Sequence, residues 1–331
     1  MRIALDAAAL HDDPAQRFGT ATFSQQLINA LSQFGKHTYR AYTFHTQQVA
    51  PPMRTVHLPK RAYMRIATSA YELVSPSQIY LALNQAFPLT RARVFGFSHG
   101  AAALLYPTYY STTEVGRQKS QLDRMFAHSE RVFTTSADVR EQLLSLSYTT
   151  RPIHALPIGL PYNMRHQSAN KKPIILTVAM DHPIKRIDRL VSLFVHMRRK
   201  FPMQMGDYTL QLVGPHAKHH DPQQNIICTG YASPSQLAKL YQSAKIYVCM
   251  SQYESLHFPF LEALCANCVA IGIKRNVISE LKAYVHEAQN ESELEQYILK
   301  VCSSNKPYIT PKSFAAQFNW EKTVRELESW Y

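Results

Sequence analysis

Short apolar runs alternate with longer segments of helical periodicity along the first half of the chain. The apolar runs have the length and composition of strands; they are RIALDAA, YRAYTFH, RARVFGFSHG, ERVFTTS and IHALPIGL. The segment GTATFSQQLINALSQFG places apolar residues from Phe23 to Leu31 at helical spacing and ends at Gly35, which predicts a helix. A second helix is predicted in SADVREQLLSLS, where Ser136 suits the N-cap.

The same alternation restarts after LPYNMRHQSANKKP, a stretch that we interpret as a linker. The second half predicts the strands IILTVAM, YTLQLVGP, KIYVCMS and CVAIGI, and the helices KRIDRLVSLFVHMRRKF, SPSQLAKLYQSA and FPFLEALCAN. Strands that alternate with helices favour parallel sheets covered on both faces, so the fold class is α/β. Two such runs predict two doubly wound domains, with ligands bound at strand ends in a cleft between them.

The composition is typical of a globular protein, and the apolar run lengths and the cysteine count indicate which kind of globular protein to expect. The 331 residues are 46% hydrophobic and 18% charged. No apolar stretch approaches the roughly 18–20 residues that cross a bilayer, and Asp6 interrupts the N-terminal run, which favours a buried first strand over a signal peptide. The five cysteines, an odd number in apolar contexts, predict reduced core thiols and a cytoplasmic chain. Cys265 and Cys268 form a lone C-x-x-C, for which a zinc or redox role is the lesser alternative.

The net charge of +13 predicts a phosphate-bearing partner without choosing among nucleotide-sugars, anionic lipids and nucleic acid. One segment, MRTVHLPKRAYMR, interleaves basic with apolar and aromatic residues, as suits an anionic membrane interface. An exposed basic loop is the alternative interpretation. Its basic residues are Arg54, Lys60, Arg61 and Arg65.

The stretch YESLHFPFLEAL holds the strongest candidate chemistry, because it sets Glu254 and Glu262 on either side of Pro259. Proline suits the first turn of a helix, so Glu262 is expected one turn inside and Glu254 in the preceding loop. The backbone amides of residues 255–258 then form an anion site at a helix start. Two carboxylates would repel a phosphate, so we expect them on hydroxyl groups. The alternative is a surface and a helix glutamate at chance spacing.

Three further residues stand where a strand ends or a helix begins. Lys185 follows a strand, where its cation could meet the negative charge of a phosphate; the alternative is a solvated lysine at a helix start. His99 ends a strand, a position that favours ligand contact over a structural role. Gly19 precedes a helix and would let a ligand approach the backbone, or is an ordinary turn glycine.

These motifs together resemble the retaining glycosyltransferases of family 4, which have the GT-B fold. That family's hallmark is two glutamates with seven residues between them, after a strand and a phrase like PS-x-x-E; here it is MSQYESLHFPFLE. Other segments resemble the family in the same order, so that the resemblance covers most of the chain. They are RFGTATFSQQLINAL, GFSHGAAALLYP, FTTSADVREQLLSLSYTTRPIHALPIGL, ILTVAMDHPIKRIDRLV and FNWEKTVREL.

The resemblance implies two Rossmann-like domains and a role for each. Residues 1–165 would bind the acceptor, residues 166–314 the nucleotide-sugar, and a C-terminal helix from about residue 315 to 331 would pack back on the first domain. It also implies catalytic roles for His99, Lys185 and Glu254, with Glu254 at the donor sugar and His99 at the sugar or the acceptor. The implied donor-binding residues are Gly19, Arg186, Gly214, Tyr231, Ser255, Leu256, His257, Phe258 and Glu262, the last at the ribose.

The implied reaction moves a sugar, with retention, from a UDP- or GDP-linked donor to a hydroxyl of a glycan or glycolipid acceptor, as in polysaccharide or lipopolysaccharide biosynthesis. No D-x-D stands at a strand end, so we expect no metal and no cofactor besides the nucleotide-sugar. The expected location is cytoplasmic, with peripheral contact at the inner face of the membrane. In HAKHH with Asp221 we favour a solvated loop over a metal site.

Several positions depart from the family pattern and keep two other function classes open. Ser255 and His257 replace glycines, Ala179 replaces an arginine, Gly100 an aspartate, and Asn267 a helix-ending glycine. A catalytically degenerate relative, serving as a binding or scaffolding subunit in glycan assembly, is therefore the alternative to an active hexosyltransferase. A nucleic-acid-binding protein is the third class, prompted by the charge alone.

Overall fold

The computed structural model describes residues 1–10, 19–44, 52–58, 64–84, 86–146, 152–161, 170–304 and 306–331. The chain forms two compact units. Unit 1 comprises Met1–Gly159 with Phe318–Tyr331, and unit 2 comprises Leu160–Gln317. Within the described ranges, no helix combines the length and the apolar character needed to cross a bilayer.

Unit 1 is built on a parallel sheet whose described strands run in the order β3-β2-β1-β4-β5-β6-β7. Its core is aromatic: Tyr42, Tyr80, Phe95, Phe97 and Phe133 are all fully buried. The elements in chain order are β1 (Arg2–Asp6), α1 (Gly19–Phe34), β2 (Thr38–Thr43), β3 (Arg54–His57), α2 (Met64–Val74), β4 (Ile79–Ala82), β5 (Arg93–Ser98), α3 (Ala102–Leu105), α4 (Thr112–His128), β6 (Arg131–Thr134), α5 (Ala137–Ser145) and β7 (Ile153–Ala155).

Unit 2 repeats this plan with the strand order β10-β9-β8-β11-β12-β13, also parallel. Its elements are β8 (Lys172–Val178), α6 (Ile187–Lys200), α7 (Pro202–Met205), β9 (Thr209–Val213), β10 (Ile226–Cys228), α8 (Pro234–Ser243), β11 (Ala244–Cys249), α9 (Phe258–Cys265), β12 (Val269–Ile273), β13 (His286–Ala288), α10 (Glu291–Cys302) and α11 (Lys312–Gln317).

The last helix, α12 (Trp320–Glu328), returns to unit 1 and packs against α1. Trp320 is buried, and its ring fills the space where a side chain at Gly159 would lie, with Cβ only 2.2 Å from the indole. The hydroxyl of Thr323 donates to the carbonyl of Pro157 at 2.6 Å. Residues from both ends of the chain therefore share one core.

Both sheets are doubly wound, as the α/β alternation predicts, and the two Rossmann-like units make up the GT-B fold. In each sheet the strand order reverses beside the first strand, between β1 and β4 in unit 1 and between β8 and β11 in unit 2. Loops leaving the carboxyl ends of such neighbouring strands diverge, which opens a crevice suited to ligands. The fold therefore brings side chains from distant parts of the sequence together at two places, one at the strand-order reversal of each sheet.

The helix caps in the structure use the serine residues that the sequence places at the predicted helix starts. The side chain of Ser136 accepts a hydrogen bond from the amide of Val139, as an N-cap should. Ser233 forms a capping box with Gln236 at the start of α8. Asn267, which replaces a glycine of the family pattern, has φ 58°, so asparagine supports the left-handed end of α9.

Candidate functional site

The candidate site lies at the strand-order reversal of unit 2. Strands β8 and β11 are parallel neighbours, with Ile175 beside Ile246 and Leu176 beside Tyr247. The loop after β8 carries Lys185 in a short 3-10 turn, and the loop after β11 carries Glu254. A backbone hydrogen bond of 2.8 Å from Gln252 to the carbonyl of Ile184 joins the two loops.

Lys185 and Glu254 form an ion pair at this point, with 2.6 Å between Nζ and Oε1. Their side chains are 19% and 17% exposed, so the pair is largely shielded while a ligand can still reach it. Burial raises the pKa of the Glu254 carboxyl, but the Lys185 cation and neighbouring hydrogen bonds outweigh it, and the pKa lies below its ordinary value. Glu254 is therefore charged at neutral pH.

Ser251 is a site residue that was not singled out from the sequence. Its hydroxyl is buried and donates to Oε1 of Glu254 at 2.6 Å, the oxygen that Lys185 also contacts. Among the described residues Oε2 accepts no hydrogen bond, so one carboxylate oxygen is fixed by the protein and the other is left for a ligand hydroxyl. The phrase PS-x-x-E, present here as MSQYE, was the available signal.

Asn276 holds the end of β11 in place behind this pair. Its side-chain amide donates to the carbonyls of Cys249 and Ser251, at 3.0 and 2.9 Å. Asn276 is buried, and these bonds satisfy carbonyls that leave the sheet at its carboxyl edge. The backbone that carries Ser251 is thereby fixed before the chain turns towards Glu254.

The helix α9 begins directly after Glu254, with Pro259 in its first turn as predicted. Leu256, His257 and Phe258 are buried, and the His257 ring stacks on Phe260 with 5.0 Å between centroids. Any ligand contact of these three residues therefore falls to their backbone. Ser255 is partly exposed and can also offer its hydroxyl.

Glu262 lies in α9 as predicted, but its carboxyl is buried, with 7% of the residue exposed. Burial raises its pKa to about 7, although the Tyr241 hydroxyl acts in the opposite direction. No hydrogen bond or ion pair among the described residues joins it to Glu254 or Lys185. The two glutamates thus occupy different environments: the pKa of Glu254 lies below its ordinary value, whereas that of Glu262 is raised to about 7.

Gly214, at the end of β9, permits a close backbone approach behind the ion pair. It has φ +130°, and a Cβ there would lie 2.0 Å from the carbonyl oxygen of Ala179. The ring of His216 donates from Nε2 to the same oxygen at 2.9 Å. The carbonyl of Ala179, the residue that stands in place of the family arginine, therefore already accepts a hydrogen bond from His216. Because the same carbonyl lies so close to position 214, only glycine fits there.

Two other predicted donor-binding residues lie near these strand ends. Arg186 follows Lys185 directly and has φ 54°, a left-handed conformation that starts α6 without a side-chain cap. Tyr231 follows Gly230, whose carbonyl accepts the amide of Gly214 at 2.8 Å, and Tyr231 is 51% exposed. Its ring is accessible to a ligand.

The histidine-rich segment HAKHH only partly fits the solvated loop expected from the sequence. His216 is fully buried, so for this residue the expectation is wrong; it packs against the end of β8 because Gly214 leaves room for it. Nε2 of His219 lies 3.1 Å from Oδ1 of Asp188, and Nδ1 of His220 accepts a hydrogen bond from the amide of Cys228 at 3.1 Å. In the described part of the chain, no three His, Cys, Asp or Glu side chains gather as metal ligands would.

In unit 1, His99 follows β5 as predicted. Its Nε2 donates to the carbonyl of Leu83 at 2.7 Å, and its ring meets Phe23 edge to face with 5.2 Å between centroids. Burial lowers the pKa of His99 below its ordinary value, so the ring is neutral and Nδ1 is an acceptor. Gly19 is the first residue of α1, and no described atom lies within 4 Å of a Cβ built there.

Two residues that the sequence pattern does not indicate, Asp6 and Asn84, lie at the strand-order reversal of unit 1. Asp6 ends β1, and Asn84 follows β4. The side-chain amide of Asn84 donates to Oδ1 of Asp6 at 2.7 Å, and its backbone amide donates to Oδ2 at 2.9 Å. Burial raises the pKa of Asp6 to about 6. In the sequence, Asp6 only interrupts an apolar run, and this pattern does not indicate that it pairs with Asn84 at a strand end.

The basic residues predicted to face a membrane lie in unit 1 or outside the described residues. Arg54 and Arg65 are exposed, on β3 and at the start of α2. Lys60 and Arg61 lie outside the described residues.

Comparison with known proteins places the candidate site in a recognised domain. Residues 163–316 match the family model of Glycosyl transferases group 1. The match covers a little under half of the chain and agrees with the class of enzyme expected from the sequence. The matched residues include the loops that carry Lys185, Ser251 and Glu254.

A relative and two solved structures are similar to this chain. The serotype-specific mannosyltransferase WbdA of Escherichia coli is 21% identical over 213 residues, which are 59% of this chain but 25% of that protein. The chain thus spans about a quarter of the length of this relative. Sucrose-phosphate synthase from Thermosynechococcus elongatus superposes with a TM-score of 0.76 at 17% identity, covering 100% of this chain and 98% of that one. Anabaena HepE, in complex with UDP and glucose, gives a TM-score of 0.72 at 12% identity, covering 99% and 98%.

Proposed function

We propose that this protein is a retaining, metal-independent glycosyltransferase of family 4 that moves a sugar from a UDP- or GDP-linked donor to a hydroxyl acceptor. The observation that carries the proposal is the Lys185–Glu254 ion pair at the strand-order reversal of a glycosyl transferases group 1 domain. The complexed ligands UDP and glucose of HepE, and the mannosyltransferase activity in the name of WbdA, support a hexose donor. The acceptor is a glycan or a lipid-linked glycan of a cell-surface polysaccharide.

Each residue of the site has a distinct role in this proposal. The Lys185 ammonium neutralises the diphosphate as the glycosidic bond breaks, because charge that develops in a shielded site gains most from a fixed cation. The amides of residues 255–258, at the start of α9, bind the same phosphates. Oε2 of Glu254 accepts a hydroxyl of the donor sugar, while Ser251 and Lys185 fix Oε1. Retention by front-face attack needs no protein nucleophile, so Glu254 orients the sugar and does not attack it.

Glu262 and His99 complete the proposed set of contacts. A carboxyl with a pKa of about 7 can donate as well as accept, which suits the two hydroxyls of a ribose. The neutral ring of His99 offers Nδ1 as an acceptor to a sugar or acceptor hydroxyl. Arg186, Gly214, Tyr231 and Gly19 are proposed as supporting donor contacts.

A donor-hydrolysis screen with a panel of UDP- and GDP-sugars, combined with calorimetry against UDP and GDP, tests the proposal. We expect one nucleotide to bind and one of its sugars to be hydrolysed, with activity unchanged by a chelator. The variant Lys200→Ala is a suitable control, because this exposed lysine is the last residue of α6, at the end away from Lys185, and pairs with Glu295. Failure to bind any nucleotide would instead support the scaffolding subunit, for which the departures at Ser255 and His257 are the argument.

A further inference from the structure

The loop that carries Lys185 is bordered by a second loop rich in histidine. We call residues 179–186, after β8, the Lys185 loop, and residues 214–225, after β9, the β9 loop. β8 and β9 are parallel neighbours, with Val178 beside Val213, so both loops leave the sheet at the same edge. The β9 loop contains the segment HAKHH, which has no part in the proposed donor contacts.

His216, in the β9 loop, holds the first residue of the Lys185 loop. Its Nε2 donates to the carbonyl of Ala179 at 2.9 Å, and the ring is fully buried. Burial lowers the pKa of His216 below its ordinary value, so the ring is neutral and its proton lies on the nitrogen that faces this carbonyl. His216 is itself fixed, because its amide donates to the carbonyl of Gly214 at 2.8 Å and its carbonyl accepts from Sγ of Cys228 at 3.0 Å.

His219, also in the β9 loop, contacts the residues that follow the other end of the Lys185 loop. Its Nε2 lies 3.1 Å from Oδ1 of Asp188, which is in the first turn of α6, and its side chain is only 13% exposed. The N-cap of α6 is Arg186, a left-handed residue that makes no side-chain cap, so this contact comes from outside the helix. Lys218 lies 3.5 Å from Asp181 and 3.9 Å from Asp188, but these ion pairs are exposed and contribute little.

The middle of the Lys185 loop is held by the loop after β11. The amide of Gln252 donates to the carbonyl of Ile184 at 2.8 Å, next to the ion pair of Lys185 with Glu254. The backbone that carries the lysine is therefore held from both sides. A lysine has a flexible four-carbon stem, so its ammonium is placed accurately only where the backbone beneath it is fixed.

We propose that His216 and His219 are positioning residues for Lys185. One histidine holds the start of the Lys185 loop and the other holds the helix turn directly after it, so that the ammonium stays where the diphosphate binds. For the role of the cation this inference rests on the proposed function, whereas the holding of the loop does not. The HAKHH segment, which the sequence presents as a solvated loop or a metal site, thereby gains a third role.

Hydrogen–deuterium exchange on the full chain tests the holding of the loop without any donor. We expect His219→Ala to speed amide exchange in residues 179–188 by about fivefold or more, because loss of a contact makes local opening easier. His196→Ala is the matched control, since His196 also lies beside a carboxylate, 3.7 Å from Glu295, but further along α6. It should leave exchange in residues 179–188 unchanged. Equal exchange in the two variants would overturn the inference.

Two substitutions of similar size test His216, whose loss to alanine would leave a cavity. His216→Gln places an amide nitrogen near the position of Nε2, whereas the side chain of His216→Asn is too short to reach the carbonyl of Ala179. We expect slow exchange in residues 179–188 for the glutamine variant and faster exchange for the asparagine variant. Melting temperatures show whether both fold. Equal exchange in the two folded variants would overturn the assignment of His216.

Kinetics with a competent donor tests whether the histidine acts through Lys185. We expect His219→Ala to lower kcat about tenfold with little change in KM, because a displaced catalytic group costs turnover more than binding. In a Lys185→Ala background the same substitution should have no further effect. A loss of the same size in both backgrounds would show a general structural role and overturn the inference. A wild-type chain that hydrolyses no donor would contradict the proposed function instead, and the exchange experiment would still decide whether the histidines hold the loop.

Discussion

Oε1 of Glu254 lies 2.6 Å from the ammonium of Lys185, although 69 positions separate the two residues in the sequence. The contact exists because β8 and β11 are neighbours at the strand-order reversal of unit 2. A diphosphate that binds there would compete with Glu254 for the same cation. The ion pair holds Lys185 in the site and compensates both charges in a largely shielded place.

Loss of the cation should affect turnover more than folding. We expect Lys185→Ala to lower turnover by about a hundredfold to a thousandfold, because a fixed cation in a shielded site stabilises the charge that develops on the diphosphate. The stability cost should be about 2–3 kcal/mol, because Glu254 loses its counter-ion in a shielded place but keeps the hydrogen bond from Ser251. Steady-state kinetics with the competent donor and urea unfolding measure the two effects. Turnover equal to that of Lys200→Ala would show that Lys185 has no catalytic role.

Ser251 should act as a positioning residue for Glu254. We expect Ser251→Ala to lower kcat about tenfold while KM changes little, and Ser251→Thr, which keeps the hydroxyl, to restore most of it. The pKa of Glu254 should also rise in Ser251→Ala, because the carboxylate loses a hydrogen bond. A pH profile of kcat records this shift. An alanine variant with an unaltered profile would leave Ser251 a purely structural role.

Glu262 should make the protein less stable as the pH rises. Its native pKa of about 7 lies above the ordinary value of 4.5, so between these values the native state holds a proton that the unfolded state has released. Stability therefore falls as the pH rises from 4.5 through about 7. We expect Glu262→Gln to be more stable than the parent by on the order of 3 kcal/mol at about pH 8, and nearly equal below about pH 4.

Urea unfolding at both pH values measures this difference, and nucleotide titration of the same variant measures its function. Under the proposed ribose contact, the glutamine variant gains stability at alkaline pH and loses affinity for the nucleotide. A variant that shows the same difference from the parent at both pH values would contradict the raised pKa. One that binds the nucleotide as tightly as the parent would remove Glu262 from the donor site.

Gly214 should tolerate no side chain. We expect Gly214→Ala to cost about 3 kcal/mol or more, because the left-handed backbone is strained for alanine and its Cβ would collide with the carbonyl of Ala179. Gly116→Ala is the matched control, since Gly116 lies in α4 with no atom within 4 Å of the added Cβ. That change should stabilise the protein by up to about 1 kcal/mol. Similar melting temperatures for the two variants would argue against a constrained backbone at Gly214.

The sequence pattern predicts much of the fold. It does not predict α4, β4 and β3, and in each case there is a physical reason. α4 has a mostly polar surface, and only Leu122, Met125 and Phe126 are buried, so its apolar periodicity is weak. β4 has four residues, all buried, and a run this short cannot be told from part of a helix. β3 has no fully buried residue and shows little strand pattern at all.

The sequence predicted several residues of the candidate site one at a time, but it did not predict their arrangement or the part played by Ser251. The sequence indicates Lys185 and Glu254 separately, as ligands of a diphosphate and a sugar, and gives no sign that they pair. It places Glu262 correctly on a helix, yet the burial that sets its pKa depends on Tyr241 and other neighbours from α8 and β11. In the sequence, His216 lies in a polar segment, which predicts an exposed side chain. Its burial depends on the space beside Gly214, which the sequence does not show.

The path of the chain between the units has a practical consequence. Unit 2 is one continuous insertion between Gly159 and Phe318, so it is joined to unit 1 at two junctions only. Residues 160–317 could be exchanged for the corresponding segment of a relative as a single cassette, leaving α12 against α1. Ending the chain at residue 317 would instead strip Trp320 from the core of unit 1. If unit 2 binds the donor as proposed, a chimaera is a sounder way to transfer donor choice than a truncation is to isolate it.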